Sequence, residues 1–572
     1  MRIRVISNLI VVMACALCAG LVYTQIVNYK KYATLSLTNR VRLVPIEGMR
    51  GNFYDRNGIR LVDNRPSFDV IVMPQELENS MTTLSRVAAL VGMQPRDIFA
   101  SVEKNYTAPF APITVKEDID KKTAITLEEQ AFSLPGVMVK ATPKREYRYR
   151  DAASHIVGYV GEISKDELDR LRGYGYQMRD RIGKTGLEKQ YDNYIRGEEG
   201  GMQLEVNNRG YFIKSLGTKE AVAGKDLFLT VDIRLQQYID ELFAGKAGAC
   251  VVMDVRTGEV LALVSRPGFD PNMFADRERS GEVTALLGDP SHPLLNRAAA
   301  GTYPLGSVFK PIVAIAALEK KKISADDRFY CGGTYTLGGQ LFNCWDEEGH
   351  KDQDVREGLK NSCNVFFYQV GRLVGIDDMS SFAQRFGFGT PTGIDLPGEA
   401  SGFVPNRLWK RLAKKEPWFE GDTVNLAIGQ GYLLVTPLQV GRMMAAIGNG
   451  GNLVQPYLVR RIGDVEVHTI KSRPIGISKK CLDIVKGGLR RVVEDDSGTG
   501  RRARVEGLRI AGKTGTAQDP SGPSHAWFAG FSPVDDPRIA VVVCIEHGGK
   551  GGLEACEFAS AVFKKAREVG LL

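Results

Sequence analysis

A serine and a lysine three residues apart, Ser307 and Lys310, constrain this chain more than any other feature of its sequence. Gly306 precedes the pair, Pro311 follows it, and the apolar run 312–318 predicts a helix that begins here. Residues three apart share a helical face, so we expect the hydroxyl and the amine to lie side by side. A neutral amine can take the proton of a serine and make it a nucleophile. Alone, however, Ser-x-x-Lys occurs in many chains and also fits an ordinary helix start.

Two further motifs follow the first along the chain. Ser362-Cys363-Asn364 precedes an apolar helical run, and Lys513-Thr514-Gly515-Thr516 ends a strand-like run. Together, and in this order, the three motifs are the signature of the serine β-lactamases and the penicillin-binding proteins. The chain therefore resembles the penicilloyl-serine transferases, and most closely the class B penicillin-binding proteins. A second Lys-Thr-Gly, at 184–186, precedes the serine and is interpreted as structural.

The resemblance implies a catalytic role for five of these residues. Ser307 would be the nucleophile and Lys310 the base for acylation. Ser362 could relay a proton to the leaving group, and Asn364 could bind Lys310 or the substrate amide. Lys513 would supply a second cation that helps keep Lys310 neutral.

The strand motif is expected to bind the substrate. The hydroxyls of Thr514 and Thr516, on either side of Gly515, can hold a carboxylate. By the same resemblance, the backbone N–H groups of Ser307 and Thr516 would form the oxyanion hole. Gly429-Gln430-Gly431-Tyr432 also resembles the family and is expected to pack near the cleft without chemistry of its own.

The order of the predicted elements indicates the fold class. Strand-like runs lie at both ends of the second half of the chain, with helical runs between them, which predicts an α/β (α+β) fold with one antiparallel sheet flanked by helices. The resemblance implies the same serine β-lactamase-like transpeptidase fold. The predicted strands are 249–254, 259–264, 508–516, 525–531 and 539–546.

The 572 residues are enough for two or three domains. We predict a membrane anchor at 1–27, a mixed pedestal of the dimerisation type at 28–225, and a transpeptidase domain at 226–572. The apolar run in the anchor has the length of one membrane-spanning helix. Flanking charges favour a cytoplasmic N-terminus, and a cleaved signal with a lipoprotein-like site at Cys15 is the alternative.

The resemblance implies a peptidoglycan D,D-transpeptidase of the inner membrane with its catalytic domain in the periplasm. It would cross-link stem peptides through a Ser307 acyl-enzyme during cell elongation, and β-lactams would inhibit it. The implied partners are a SEDS-type glycan polymerase and other proteins of the elongation complex. The net charge of +8 is spread along the chain without a nucleic-acid-binding motif, so nucleic acid is not expected as a partner.

Other functions remain open at this point. A division-specific class B transpeptidase would share all three motifs. A D,D-carboxypeptidase or a β-lactamase would hydrolyse the acyl-enzyme, although the sequence shows no candidate deacylating carboxylate. A penicilloyl-sensing receptor would need several membrane spans or a signalling domain, and neither is visible.

Three of the nine cysteines lie in the segment between Ser307 and Asn364, together with one of the six histidines. Cys331, Cys344, His350 and Cys363 would make a closed tetrahedral set for one structural zinc ion. The resemblance supports this, since elongation-type relatives carry zinc here, with aspartates where this chain has Cys331 and Cys344. Zinc on Cys363 would hold the neighbouring serine and asparagine of its motif in place. A disulfide between Cys331 and Cys344 is the alternative.

Overall fold

A computed structural model describes residues 2–33, 41–77, 80–106, 112–178, 180–206, 212–467, 469–520 and 522–572. The chain divides into two compact units. The first comprises Met1–Gly51, Asn64–Lys144 and Arg196–Gly224, and the second Asn52–Asp63, Arg145–Ile195 and Lys225–Leu572. The unit that carries the three motifs therefore also includes two segments that precede residue 226.

The chain starts with an apolar helix. Helix Arg2–Val22 continues as the π-helical turn Tyr23–Val27, and its apolar side chains are exposed. Of the helices in the described part of the chain, Ile3–Val27 is the one long and apolar enough to cross a membrane. This finding agrees with the predicted single anchor.

The rest of the first unit combines antiparallel strands with short helices. Val41–Ile46, Gly200–Val206 and Phe212–Lys219 form a three-stranded sheet with Gly200–Val206 in the middle. The C-terminal half of strand Arg60–Val72 pairs with Ile113–Ile119. The helices Ser80–Val91, Pro95–Asn105 and Lys121–Glu129 and the strand Val137–Tyr147 complete the set.

The second unit is built on a five-stranded antiparallel sheet. Its strands are β1 (Gly248–Asp254), β2 (Val260–Arg266), β3 (Ala511–Asp519), β4 (Gly522–Ser532) and β5 (Ile539–Ile545). They lie in the order β2-β1-β5-β4-β3, so β3 forms one edge. All five predicted strands are present, and the hairpin of β1 and β2 is the one expected from the sequence.

Six helices accompany this sheet, and they explain why its central strands are apolar throughout. The helices are α1 (Ile233–Phe243), α2 (Lys310–Glu319), α3 (Asn364–Arg385), α4 (Pro437–Gly448), α5 (Lys479–Glu494) and α6 (Glu554–Glu568). On β1, Val251 and Met253 face a core shared with α2 and α4, whereas Cys250 and Val252 face one shared with α1 and α6. Both faces of the sheet are therefore covered by helices, and the predicted fold class is confirmed.

Between α2 and α3 the chain forms a small insert. Phe329–Cys331 pairs with Lys351–Gln353, Thr334–Leu337 pairs with Gln340–Asn343, and helix Val355–Lys360 follows. The remaining helices of this unit are Ser154–Val157, Lys165–Leu171, Gly186–Gln190, Asp192–Ile195, Ser280–Leu287, Arg407–Trp409 and Glu420–Ala427. Its remaining strands are Phe53–Tyr54, Val160–Glu162, Arg181–Gly183, Leu227–Leu229, Asn452–Val454, Val459–Ile462, Val465–Glu466 and Ser472–Pro474.

Candidate active site

The serine of the first motif lies on a tight turn at the start of a buried helix. Gly306–Phe309 form a 3-10 turn that leads directly into α2. Residues three apart eclipse in such a turn, so Ser307 and Lys310 share one face, as predicted. Ser307 is partly exposed, whereas the side chain of Lys310 is completely buried. The turn thus carries a partly exposed hydroxyl, with a buried amine three residues further along the chain.

The amine of Lys310 joins the first motif to the second. Nζ donates hydrogen bonds to the carbonyl oxygen of Ser362 at 2.7 Å, to its hydroxyl at 3.2 Å and to Oδ1 of Asn364 at 2.8 Å. Burial lowers the pKa of Lys310 to about 8, against the opposing effect of negative charge on the nearby sulfurs of Cys363 and Cys344. At pH 7 about a tenth of the amine is therefore uncharged.

The second motif has an unusual backbone conformation. Ser362 has a φ of +50°, in the left-handed region that side chains other than glycine seldom adopt. Cys363 then caps α3, where its sulfur accepts the N–H of Phe366 at 3.4 Å. Asn364 donates to the carbonyl of Asn343 in the insert at 3.4 Å. Neighbours from three parts of the chain thus hold this short segment in place.

The lysine of the third motif is buried as completely as Lys310. Its amine donates to the carbonyl of Thr514 at 3.2 Å. Burial first, and the charge of Lys310 second, hold the pKa of Lys513 well below its usual value. The family resemblance predicts that the charge of Lys513 helps keep Lys310 neutral. In the structure, burial is the main cause for both amines. The charge of Lys310 further lowers the pKa of Lys513, whereas Lys513 is not among the causes of the lowered pKa of Lys310.

The third motif lies on the edge strand β3 and touches the nucleophile turn. A Cβ on Gly515 would stand 2.9 Å from Cγ2 of Val308 and 3.0 Å from the carbonyl of Leu305, so only glycine permits this approach. Thr514 is buried and donates to Oγ1 of Thr499 at 3.2 Å, whereas Thr516 is exposed. Of the two hydroxyls expected to bind a carboxylate, that of Thr516 is the more accessible.

A loop for which sequence analysis predicted no chemistry supports both the turn and the strand. The carbonyl of Gly429 accepts the N–H of Gly306 at 2.9 Å, and Nε2 of Gln430 donates to the carbonyl of Thr516 at 3.3 Å. Gly429 has a φ of +72°, and a Cβ there would stand 2.1 Å from the carbonyl oxygen of Gly306. The only signal in the sequence for this supporting loop is a glutamine between two glycines.

Cys331, Cys344, His350 and Cys363 converge, with their ligand atoms all within 4.8 Å of one another. Nδ1 of His350 lies 3.5 Å from the sulfur of Cys344 and 3.8 Å from that of Cys331. A tetrahedral zinc ion, with Zn–S of about 2.3 Å and Zn–N of about 2.0–2.1 Å, would place such atoms about 3.6 Å apart. All nine cysteines are free thiols, so Cys331 and Cys344 form no disulfide here. The geometry fits a closed metal site.

A second cluster, which sequence analysis missed, lies where β3 turns into β4. Asp519, His525 and His547 approach within 4.8 Å of one another. Nδ1 of His547 faces the carbonyl of Pro523 at 3.0 Å and must carry the hydrogen, because a carbonyl only accepts. Nδ1 of His525 accepts the N–H of His547 at 3.2 Å, so its hydrogen is on Nε2, toward Asp519. The ring nitrogens nearest the carboxylate of Asp519 therefore carry hydrogens and have no free lone pairs. A metal ion needs lone pairs from its ligands, so this cluster does not suit a metal.

The other Lys-Thr-Gly motif lies outside this site. Lys184 follows the strand Arg181–Gly183, which pairs with Val160–Glu162 and is not part of the sheet that contains β3. Its amine donates to the carboxylate of Glu167 at 2.5 Å. The contact agrees with the structural interpretation of this segment.

Two protein-family models match the chain. One, described as the penicillin-binding protein transpeptidase domain, matches residues 248–565, and the other, the penicillin-binding protein dimerisation domain, matches residues 45–229. The peptidoglycan D,D-transpeptidase MrdA of Escherichia coli K12 is 37% identical over 94% of this chain and 89% of its own length. MrdA of Haemophilus influenzae is 34% identical over 97% of this chain and 90% of its own length.

Solved structures resemble the chain to a similar extent. PBP2 from Helicobacter pylori, in a complex with MreC, has a TM-score of 0.84 at 30% identity and covers 93% of this chain and 99% of its own. A structure of a peptidoglycan synthase complex, described as coordinating polymerization and crosslinking, has a TM-score of 0.76 at 30% identity. It covers 98% of this chain and 97% of its own.

We predict that Lys513 and not Lys184 supports acylation. Lys513→Ala should slow covalent labelling by a fluorescent penicillin about 10²-fold, because it removes a polar group from the acid–base site. Lys184→Ala, the matched control, should change the rate less than about twofold while losing about 0.2–1 kcal/mol of stability with its ion pair. Labelling kinetics and the Tm of both variants provide the measurement. The reverse pattern would contradict the placement of the site on β3.

Proposed function

The chain belongs to the penicillin-binding protein transpeptidases, and from that premise we propose that it is a peptidoglycan D,D-transpeptidase of the elongation type. The observation that carries the proposal is the convergence of three motifs on one amine. Lys310 follows Ser307 by three residues and donates hydrogen bonds to both polar residues of the second motif. Its charge also lowers the pKa of Lys513 on the edge strand that carries the third motif.

Acylation follows from these contacts. Neutral Lys310 accepts the proton of Ser307, whose oxygen attacks the penultimate carbonyl of a stem peptide that ends in D-Ala-D-Ala. The charge that develops on the carbonyl oxygen is stabilised by the backbone N–H groups of Ser307 and Thr516. The carbon–nitrogen bond to the terminal D-Ala then breaks, and Ser362 passes the proton from Lys310 to the leaving amine.

The second half of the reaction runs in the opposite direction. An amine from a neighbouring stem peptide attacks the ester on Ser307 and gives up a proton through Ser362 and Lys310. The new amide bond forms the cross-link and the serine is regenerated. Asn364 binds the lysine amine throughout, and the exposed hydroxyl of Thr516 binds the carboxylate of the donor. A β-lactam follows the first half only, because its leaving group stays attached and blocks the acceptor.

The anchor and the relatives suggest where this reaction takes place. We propose that Ile3–Val27 spans the inner membrane with the N-terminus in the cytoplasm, so that the catalytic unit lies in the periplasm. The relatives described as bound to MreC or as part of a peptidoglycan synthase complex support an elongation complex as the partner. A SEDS-type polymerase would supply the glycan strands.

We also propose that one structural zinc ion binds Cys331, Cys344, His350 and Cys363. Support comes from the distances between Nδ1 of His350 and the sulfurs, which match a tetrahedral ion. Nε2 of His350 is buried, with no hydrogen-bond partner among the described residues, and the carboxylate of Asp346 lies 3.8 Å away. Such a carboxylate commonly orients a zinc-bound imidazole.

The proposed reaction predicts a stable adduct. The full-length protein should form one covalent penicillin adduct, mapped by mass spectrometry to Ser307, and Ser307→Ala should form none while keeping the same Tm. With lipid-linked precursor and a glycan polymerase, the wild type should yield cross-linked dimers. Sustained hydrolysis of a chromogenic cephalosporin would instead indicate a hydrolase.

The pKa of Lys310 predicts how acylation depends on pH. Its folded value is lowered to about 8, so the neutral, proton-accepting form grows as the pH rises through that value. The second-order rate of penicillin acylation should therefore increase about tenfold per pH unit below 8 and level off above it. Lys310→Gln should be slow at every pH and show no such rise. A wild-type rate that does not change between pH 6 and pH 9 would contradict the base assignment.

Zinc binding has its own test. Elemental analysis should find one zinc per chain, and Cys331→Ser should lose most of it and lower the Tm, because metal binding contributes to folding. The acylation rate should also fall, since Cys363 lies between Ser362 and Asn364. Cys481→Ser, outside the cluster, is the matched control and should keep the metal. Absence of zinc with Cys331 and Cys344 oxidised together would favour the disulfide.

A further inference from the structure

One buried cation near the cleft has no part in the reaction described above. The side chain of Lys410 is 2% exposed, at the start of the π-helical turn Lys410–Lys414. Its amine lies 2.5 Å from Oδ2 of Asp422 and 3.5 Å from Oε2 of Glu416. It also lies 4.5 Å from the centre of the Phe419 ring. Desolvation alone would lower the pKa of Lys410, but the hydrogen bond that its amine donates to Asp422 raises it, so the amine stays charged.

Asp422 connects this cation to the helix that precedes the loop Gly429–Tyr432. The same carboxylate oxygen accepts the N–H of Phe419 at 2.8 Å and caps helix Glu420–Ala427. That helix leads directly into Gly429, whose N–H donates to the carbonyl of Leu426 at 2.8 Å. Asp422 thus lies at one end of a short helix whose other end leads into the loop.

Tyr432 connects the cation to the end of the same loop. The amine of Lys410 lies 6.0 Å from the centre of the Tyr432 ring, and the ring of Trp409, next to Lys410 in the chain, lies 4.9 Å from that ring at a steep angle. Cation–π and edge-to-face contacts of this kind each contribute a modest attraction with a defined orientation. Lys410 therefore contacts Tyr432 at the end of the loop Gly429–Tyr432 and Asp422 at the start of the helix that precedes it.

The loop Gly429–Tyr432 contacts two parts of the cleft. The carbonyl of Gly429 accepts the N–H of Gly306, the residue before the nucleophile, and Gln430 donates to Thr516 on β3. We propose that Lys410 is a positioning residue for acylation, which fixes this loop through Asp422 and Tyr432 and thereby sets the nucleophile turn against β3. The inference rests on the proposed function.

A charge is needed for this task because an apolar side chain could fill the space without fixing it. Replacing a buried ion pair by an apolar residue of similar volume often costs little stability, so stability alone gives no reason for the pair. An amine that must stay within reach of a carboxylate and of several rings allows one arrangement of the loop. A misplacement of about 1 Å at a reacting group can cost about 10²-fold in rate.

The test compares Lys410→Met, which keeps the bulk, with Lys410→Arg, which keeps the charge. Full-length protein in detergent micelles is labelled with a fluorescent penicillin, well below the Tm of every variant, and initial binding is separated from the acylation step. Lys410→Met should slow the acylation step about tenfold or more with little change in binding, and Lys410→Arg should recover most of the rate. Lys320→Met, which breaks the partly exposed pair with Asp378 at 2.7 Å, is the matched control and should acylate normally.

The outcomes separate the inference from the proposed function. A wild-type acylation step in folded Lys410→Met, or an equal loss in Lys410→Arg, would overturn the role of the cation. Should Lys410→Met fail to fold, Asp422→Asn decides, since it keeps the shape and removes the charge partner. A slowed acylation step there supports the inference, and a normal one overturns it. If the wild type forms no adduct on Ser307, the proposed function and this inference fall together.

Discussion

The catalytic cleft depends on the burial of one amine. Lys310 is the first residue of α2, and the other residues of this helix are almost all apolar. Its three hydrogen-bond acceptors belong to residues more than fifty positions further along the chain. An amine without these acceptors would carry a large desolvation cost, so the burial of Lys310 on the helix depends on the second motif. The positive φ of Ser362 belongs to this arrangement, because its carbonyl and its hydroxyl both reach the same nitrogen.

Three lysines are among the largest fully buried side chains of the described protein: Lys310, Lys410 and Lys513. Their surroundings give them opposite properties. No described carboxylate pairs with Lys310 or Lys513, and burial lowers the pKa of both. Lys410 has Asp422, which raises its pKa. The first two amines are suited to exchange a proton, whereas the third is suited to hold a position.

Much of this arrangement could be predicted from local sequence. The three motifs, the apolar strands and the N-terminal helix each depend on residues close together in the chain, and the structure confirms the elements predicted from them. The tertiary contacts could not be predicted from local sequence in the same way. Nothing near residues 145–195 indicates that they belong to the same unit as β3, and Lys410 resembles any other lysine until Asp422 and Tyr432 fold around it. The burial of Lys310 and Lys513, which lowers the pKa of both, likewise depends on tertiary packing.

The position of β3 at the edge of the sheet affects how a substrate can be recognised. An edge strand leaves alternate main-chain N–H and C=O groups without a partner strand, and an extended peptide can pair with them as one more strand. Such pairing depends on backbone direction and register more than on side chains, and a slip of one residue would turn every side chain to the opposite face. A chain end of defined handedness, aligned in this way, would be recognised chiefly by its main chain.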